Sequence, residues 1–118
     1  MSGSRPIPLD TAAYDRQSRF VVFTRAELMD ILNVYGRMVA AGQWRDYAID
    51  HGRDSAQFAI FQRASERPLY RIVKEPALRN RQGQWRLVGQ AGQILARGHR
   101  LPGLLQRLTA RHLKVIDH

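Results

Sequence analysis

Apolar positions along the chain recur with two spacings, one near 3.6 residues and one of 2, and the changes between them divide it into elements. The first apolar run, Arg19-Phe20-Val21-Val22-Phe23, is β-branched and aromatic and too short for a helix, so it predicts a buried strand. It ends at Thr24-Arg25-Ala26-Glu27. That tetrapeptide is a capping box, in which the Glu27 amide donates to the Thr24 hydroxyl and the Thr24 amide donates to the Glu27 carboxylate. A helix follows, with Leu28, Ile31, Leu32, Tyr35 and Val39 as its apolar stripe and Gly42 as a left-handed stop. Gly36 inside it costs about 1 kcal/mol relative to alanine. The expected return is close approach by a packed strand.

From Trp44 to Arg97 the period drops to 2 and short strands succeed one another. Tyr47 and Ile49 share one face of the first, Asp46 and Asp50 the other, and His51-Gly52-Arg53-Asp54-Ser55 supplies a turn. Residues 57–63 alternate again, with Phe58 and Ile60 opposite Ala59 and Phe61, before a break at Ala64-Ser65-Glu66-Arg67-Pro68. Residues 69–74 make the next strand, stopped by Pro76, and Arg79-Asn80-Arg81-Gln82-Gly83 is a loop. Trp85, Leu87 and Val88 belong to another, which Gly89-Gln90-Ala91-Gly92 joins tightly to Ile94-Leu95-Ala96-Arg97. Connections this short do not allow parallel crossovers, so the pairing is predicted antiparallel.

Pro102 is placed to begin a second helix, with Leu101, Leu104, Leu105, Leu108, His112 and Val115 or Ile116 as its stripe. The predicted fold is α+β, an antiparallel β-meander of four to six strands with two helices packed on one face. Residues 1–17 mix Pro, Gly, Ser and Asp without a sustained period and read as a flexible N-terminal tail. Residues 18–118 read as a single α+β domain, since 118 residues leave no room for a second core.

Composition adds constraints. Hydrophobic residues at 44% and charged residues at 25% are ordinary for a globular chain, so burial offsets ordering entropy. Cysteine is absent, which removes disulfides, thiolate zinc sites, iron–sulfur clusters and cysteine nucleophiles, and cytoplasm is the expected compartment. No signal-peptide core and no run of about 18 apolar residues occurs, so export and membrane spanning are not expected. A net charge of +9, from 19 Lys+Arg against 10 Asp+Glu, predicts attraction to polyanions. All of those bases but Lys74 and Lys114 are arginine, a skew that codon usage in a GC-rich genome also produces.

Catalysis is not signalled. His51, His99, His112 and His118 have no metal-site spacing, and His112 falls on an apolar stripe. Asp46 and Asp50 share a strand face but lie roughly 13 Å apart, beyond the ~5 to 9.5 Å at which two carboxylates cooperate across a glycosidic bond. No G-x-S-x-G, G-x-x-x-x-G-K or G-x-G-x-x-G occurs. No cofactor, metal ligand or catalytic residue is therefore assigned, and an enzyme is not the expected class.

Binding fits better. A sheet covered on one side leaves its other face free, and this one carries Arg45, Arg63, Arg71, Arg86 and Arg97, interleaved with aromatic residues among which Trp44 and Trp85 are the candidates for base stacking. Those seven residues are the predicted binding set, for nucleic acid or a small anion. In a regular strand Arg45 shares a face with Tyr47 and Ile49, which implies a bulge or an edge position. A second cluster, Arg79, Arg81, Arg86, Arg97 and Arg100, lies ahead of a helix that has no Ser, Thr, Asp or Asn cap. The alternative is a homo-oligomeric interaction module, a homodimer without nucleic-acid binding, because a short sheet has edges that a second copy can pair.

The segment Tyr35-Gly36-Arg37-Met38-Val39-Ala40-Ala41-Gly42-Gln43-Trp44-Arg45-Asp46-Tyr47-Ala48-Ile49-Asp50 resembles a family of small alphaproteobacterial proteins known only as a domain of unknown function. The resemblance continues through residues 61–72, Arg81-Gln82-Gly83 and Arg97-Gly98-His99, and spans about residues 18–113. It implies a bacterial cytosolic domain with no assigned activity, substrate, cofactor or functional residues. Within it, Arg45 and Asp46 between Trp44 and Tyr47 are the polar pair to mutate first, or an ion pair at the helix-to-strand corner.

Overall fold

The computed structural model of the chain describes residues 20–63 and 67–116, the last four by backbone alone. Thr24 opens helix α1 (Arg25–Ala40) through the expected capping box: Glu27 N donates to Thr24 Oγ1 at 3.1 Å and Thr24 N donates to Glu27 Oε1 at 2.8 Å. Gly42 ends the turn after it with φ +76°, a conformation that glycine adopts without steric cost. The chain then builds five strands, β1 (Asp46–His51), β2 (Ala56–Phe61), β3 (Tyr70–Lys74), β4 (Trp85–Gly89) and β5 (Ile94–Gly98), before helix α2 (Leu101–Ile116). Their spatial order is their chain order, each pair antiparallel.

Opposed residues of an antiparallel pair point to the same face, so the register sorts the side chains. One face carries Tyr47 and Ile49, then Ala56, Phe58 and Ile60, then Tyr70, Ile72 and Lys74, then Trp85 and Leu87, then Ala96. Its apolar members form the core with Ile31, Val34 and Met38 of α1 and Leu101, Leu104, Leu105 and Leu108 of α2. Both helices therefore cover one face. The other face carries Asp46, Ala48 and Asp50, then Gln57, Ala59 and Phe61, then Arg71 and Val73, then Arg86 and Val88, then Arg97.

Lys74, Trp85 and Gly98 are neighbours across three strands, and Lys74 Nζ donates to Val22 O at 2.9 Å just ahead of α1. Because α2 begins three residues after Gly98, both helices start at this end of the sheet.

Three expectations need correction. Residues 20–23 are not a strand: Val21 N donates to Gly52 O, but Val22 O is taken by Lys74 and the capping box turns the chain into α1 at once, leaving too few residues to pair. Phe23 is buried nonetheless, its ring stacked 6.2 Å from that of Trp85. The stripe of α1 is rotated, with Ile31, Val34 and Met38 inside while Leu32 and Val39 remain 38% exposed. Tyr35 meets Tyr47 of the edge strand at 5.0 Å, so residues on its outer side hang beyond the sheet. Gly36 has no heavy atom within 4 Å of a Cβ, so no strand approaches it. The predicted tail at residues 1–17, Arg19, most of the break at 64–68, and the side chains of Val115 and Ile116 lie outside the described residues.

Candidate anion-binding surface

Three of the five predicted arginines come together. Arg86 and Arg97 are directly opposed across β4 and β5 on the face away from the helices, and Arg71 lies diagonally across from Arg86 on β3. Arg71 Nη1 donates to Gln57 Oε1 at 3.1 Å, and Arg86 Nη1 donates to Glu75 Oε1 at 2.6 Å. Val73 and Val88 beside them are 1% and 4% exposed although they face away from the core cluster. Arginine stems of this length shield apolar surface while the guanidinium stays near water.

The other four candidates lie elsewhere. Arg45 precedes β1, bound through its amide to Phe61 O, and β1 is the edge strand that its parity requires. Arg63 follows β2 at the same end of the sheet, near Arg67 and Gln90. Trp44 and Trp85 are 3% and 2% exposed, packed in the core beneath the helices. Their rings are closed off from a stacking base. Trp85 shares the parity of Leu87, and that alternation was the sequence signal for its burial.

A larger asymmetry was also readable in the chain. Between Glu75 and Asp117 there is no acidic residue, while Arg79, Arg81, Arg86, Arg97, Arg100, Arg107, Arg111 and Lys114 all fall there. Since sheet order follows chain order, the described part of this stretch occupies β4, β5, their connections and α2, one flank of the fold. The β3–β4 connection is brought onto that flank by Gly83, whose φ of +99° lets its backbone lie against Gly98 and His99. Arg107 Nη1 donates to Arg97 O at 3.1 Å and ties α2 to β5. A cavity of about 200 Å³ opens there, lined by Arg97, His99, Arg100, Gly103 and Arg107 among others. Asp46, Asp50 and Asp54 lie on β1 and the turn after it, at the opposite edge.

A buried polar cluster stands apart from this flank. His112 is 2% exposed, its Nδ1 is 3.3 Å from Tyr70 Oη, and its ring lies 5.6 Å from that of Trp44. Nε2 of His112 and Nε1 of Trp44 are buried without a hydrogen-bond partner among the described residues. Burial holds the imidazole below its ordinary pKa and pushes the Tyr70 phenol above its own, against the lowering effect of Arg111.

A depressed pKa in the fold means that the unfolded chain binds the proton more tightly, so stability is full above about pH 6.5 and falls as pH drops through the folded value. Urea midpoints are expected to decline from pH 7.5 to 5.5, by at most about 1.4 kcal/mol per pH unit for one proton. His112→Gln should flatten that decline, and an unchanged slope would show that His112 does not cause it.

Among the described residues no group of three His, Asp or Glu converges for a metal, and no helix is long and apolar enough to cross a membrane. Fold and charge define an α+β protein built on a five-stranded antiparallel meander, with two helices on one face and an arginine-rich flank whose own residues, 76–116, include no acid. The chain belongs to the DUF2794 family of proteins of unknown function, whose model matches residues 21–105, from the segment before α1 into the first turns of α2. No curated protein and no solved structure matches it.

Proposed function

We propose that the chain is a noncatalytic binding domain that takes a polyanion, single-stranded nucleic acid before others, on the flank formed by β4, β5 and α2. The observation that carries this reading is the gathering of the acid-free stretch after Glu75 on one side of the meander. A surface of one sign attracts a polyanion through released counterions, independently of base sequence. With Trp44 and Trp85 buried, phosphate contacts supply the affinity and stacking contributes little.

A labelled single-stranded oligonucleotide followed by anisotropy tests this. With about four phosphates contacted, affinity should fall about 50-fold between 50 and 200 mM salt. Arg100→Gln with Arg107→Gln should flatten the salt slope by roughly 1.4, whereas Arg53→Gln, in the β1–β2 turn, should leave it unchanged. No retained oligonucleotide at low salt would end the reading.

A second reading, a homodimer joined along β1, is favoured by one observation. β1 is exposed along its whole length, with Tyr47 and Ile49 on one face of it 41% and 39% exposed. Asp46 and Asp50 of two copies would repel one another, so this association should strengthen with salt, opposite to polyanion binding. Light scattering decides it: a monomer mass at high salt and high protein concentration removes the dimer, and a dimer lost in Ile49→Lys supports it.

A further inference from the structure

Arg86 and Arg97 stand directly opposite each other on one face of neighbouring strands, with Cβ atoms roughly 5 Å apart, an arrangement that like charges disfavour. Only Arg86 is compensated: its Nη1 is 2.6 Å from Oε1 of Glu75, which follows β3 on the side of β4 away from β5, while no ion pair reaches Arg97 among the described residues. Nη1 of Arg97 is moreover shut off from solvent and has no hydrogen-bond partner among the described residues. A guanidinium that has lost water from one nitrogen without gaining an acceptor is under-compensated, and a buried donor left unmade carries a free-energy cost. The backbone does not allow easy escape, because Arg97 is held within β5 and its carbonyl accepts from Arg107 Nη1 at 3.1 Å. Neither β4, β5, their turn nor α2 offers an acid to complete the pair.

We propose that Arg97, with Arg86 opposite, is an oxyanion site that takes a phosphate group on the sheet face away from the helices. With its Nη1 side closed to solvent, the Arg97 guanidinium has Nε and Nη2 as the planar donor pair for two oxygens of an oxyanion, a grip that lysine would not reproduce, and the Arg86 charge opposite adds attraction. The site names the point of firmest grip on the basic flank and rests on the polyanion reading only for the size of its ligand. A phosphodiester keeps two unesterified oxygens, enough for that one donor pair, and a free phosphate has them too.

The test measures melting midpoints of the full chain in inorganic phosphate and in chloride at equal ionic strength. Phosphate at about ten times its Kd should raise the wild-type midpoint by about 5 °C. Arg97→Gln should lose that rise. Without phosphate it should melt at or above the wild-type midpoint, because it relieves the opposed charges. Arg53→Gln controls for general charge and should keep the phosphate response.

No rise in the wild type, or an Arg97→Gln variant that melts several degrees lower in chloride, would overturn the site, the second by making Arg97 a structural residue. An oligonucleotide bound equally well by wild type and Arg97→Gln, together with no phosphate response, sinks this site and leaves polyanion binding standing. A phosphate response lost in Arg97→Gln with no oligonucleotide bound by the wild type supports the site, makes its ligand a small phosphate and removes the polyanion.

Discussion

Lys74→Ala should destabilise the chain by about 3 kcal/mol, the largest effect expected of any charged residue in it. Lys74 lies on the helix-covered face, in register with Ala56 on one side and Trp85 on the other, and is 9% exposed. Its Nζ donates to Glu27 Oε1 at 2.7 Å and to Val22 O at 2.9 Å, and sits 5.9 Å from the Trp85 ring centroid. One ammonium thus joins β3 to the segment before α1 and to the carboxylate that also caps α1. Truncation leaves the Glu27 carboxylate with the Thr24 amide but no cation, removes the donor to the Val22 carbonyl and opens space beside Trp85, and each of these losses is unfavourable. Lys74→Met keeps the apolar stem and should recover about half of the loss. Urea unfolding with an unchanged m-value measures both, and a change below about 1 kcal/mol in Lys74→Ala would show that the pair is not a structural clamp.

Gly83→Ala is expected to be nearly as severe, through the backbone alone. Gly83 has φ +99°, where a side chain is strained whatever the space available. Here there is no space either: a Cβ would fall within the contact distance of Gly98 O, Gly98 C and His99 N. Those are backbone atoms at the end of β5, and Gly98 is paired with Trp85, so they cannot swing aside as a side-chain tip would. The variant has to lift the β3–β4 connection off β5 and break the Gly83 N to Leu78 O bond of 3.0 Å, at a cost of about 2–4 kcal/mol. Gly92→Ala is the comparison, since its φ of +87° carries the same backbone strain with no atom within 4 Å. If the two variants lose equal stability, φ alone explains Gly83 and the close approach adds nothing.

The pair also bears on binding. Gly83→Ala should lift the connection that carries Arg79 and Arg81 off the end of β5 without removing a charge. A weaker oligonucleotide affinity in a variant still folded would show that placement of the charges, beyond their number, sets the grip.

What the chain declares by itself is local. The Thr24–Glu27 capping box, the left-handed stop at Gly42 and the leucines of α2 depend on residues within a turn or two, and they stand where spacing puts them. The alternation through β2, β3 and β4 is equally local, and short connections enforce the antiparallel meander. Parity even contained the burial of Trp85 and Lys74, which alternate with Leu87 and with Tyr70 and Ile72.

Other features depended on distant partners. Residues 20–23 have strand composition, yet Val22 O is claimed by a lysine 52 positions later in the chain. The buried stripe of α1 runs through Ile31, Val34 and Met38 and leaves Leu32 and Val39 exposed, because helical spacing does not reveal which flank of an apolar surface the sheet extends beneath. The acid-free stretch after Glu75 is a property of the sequence, but its concentration on one flank is a property of the meander, in which neighbours in the chain remain neighbours in space. The opposition of Arg86 and Arg97, with a carboxylate paired to Arg86 alone, required the register of β4 against β5, set by turn geometry and by which side chains the core accepts.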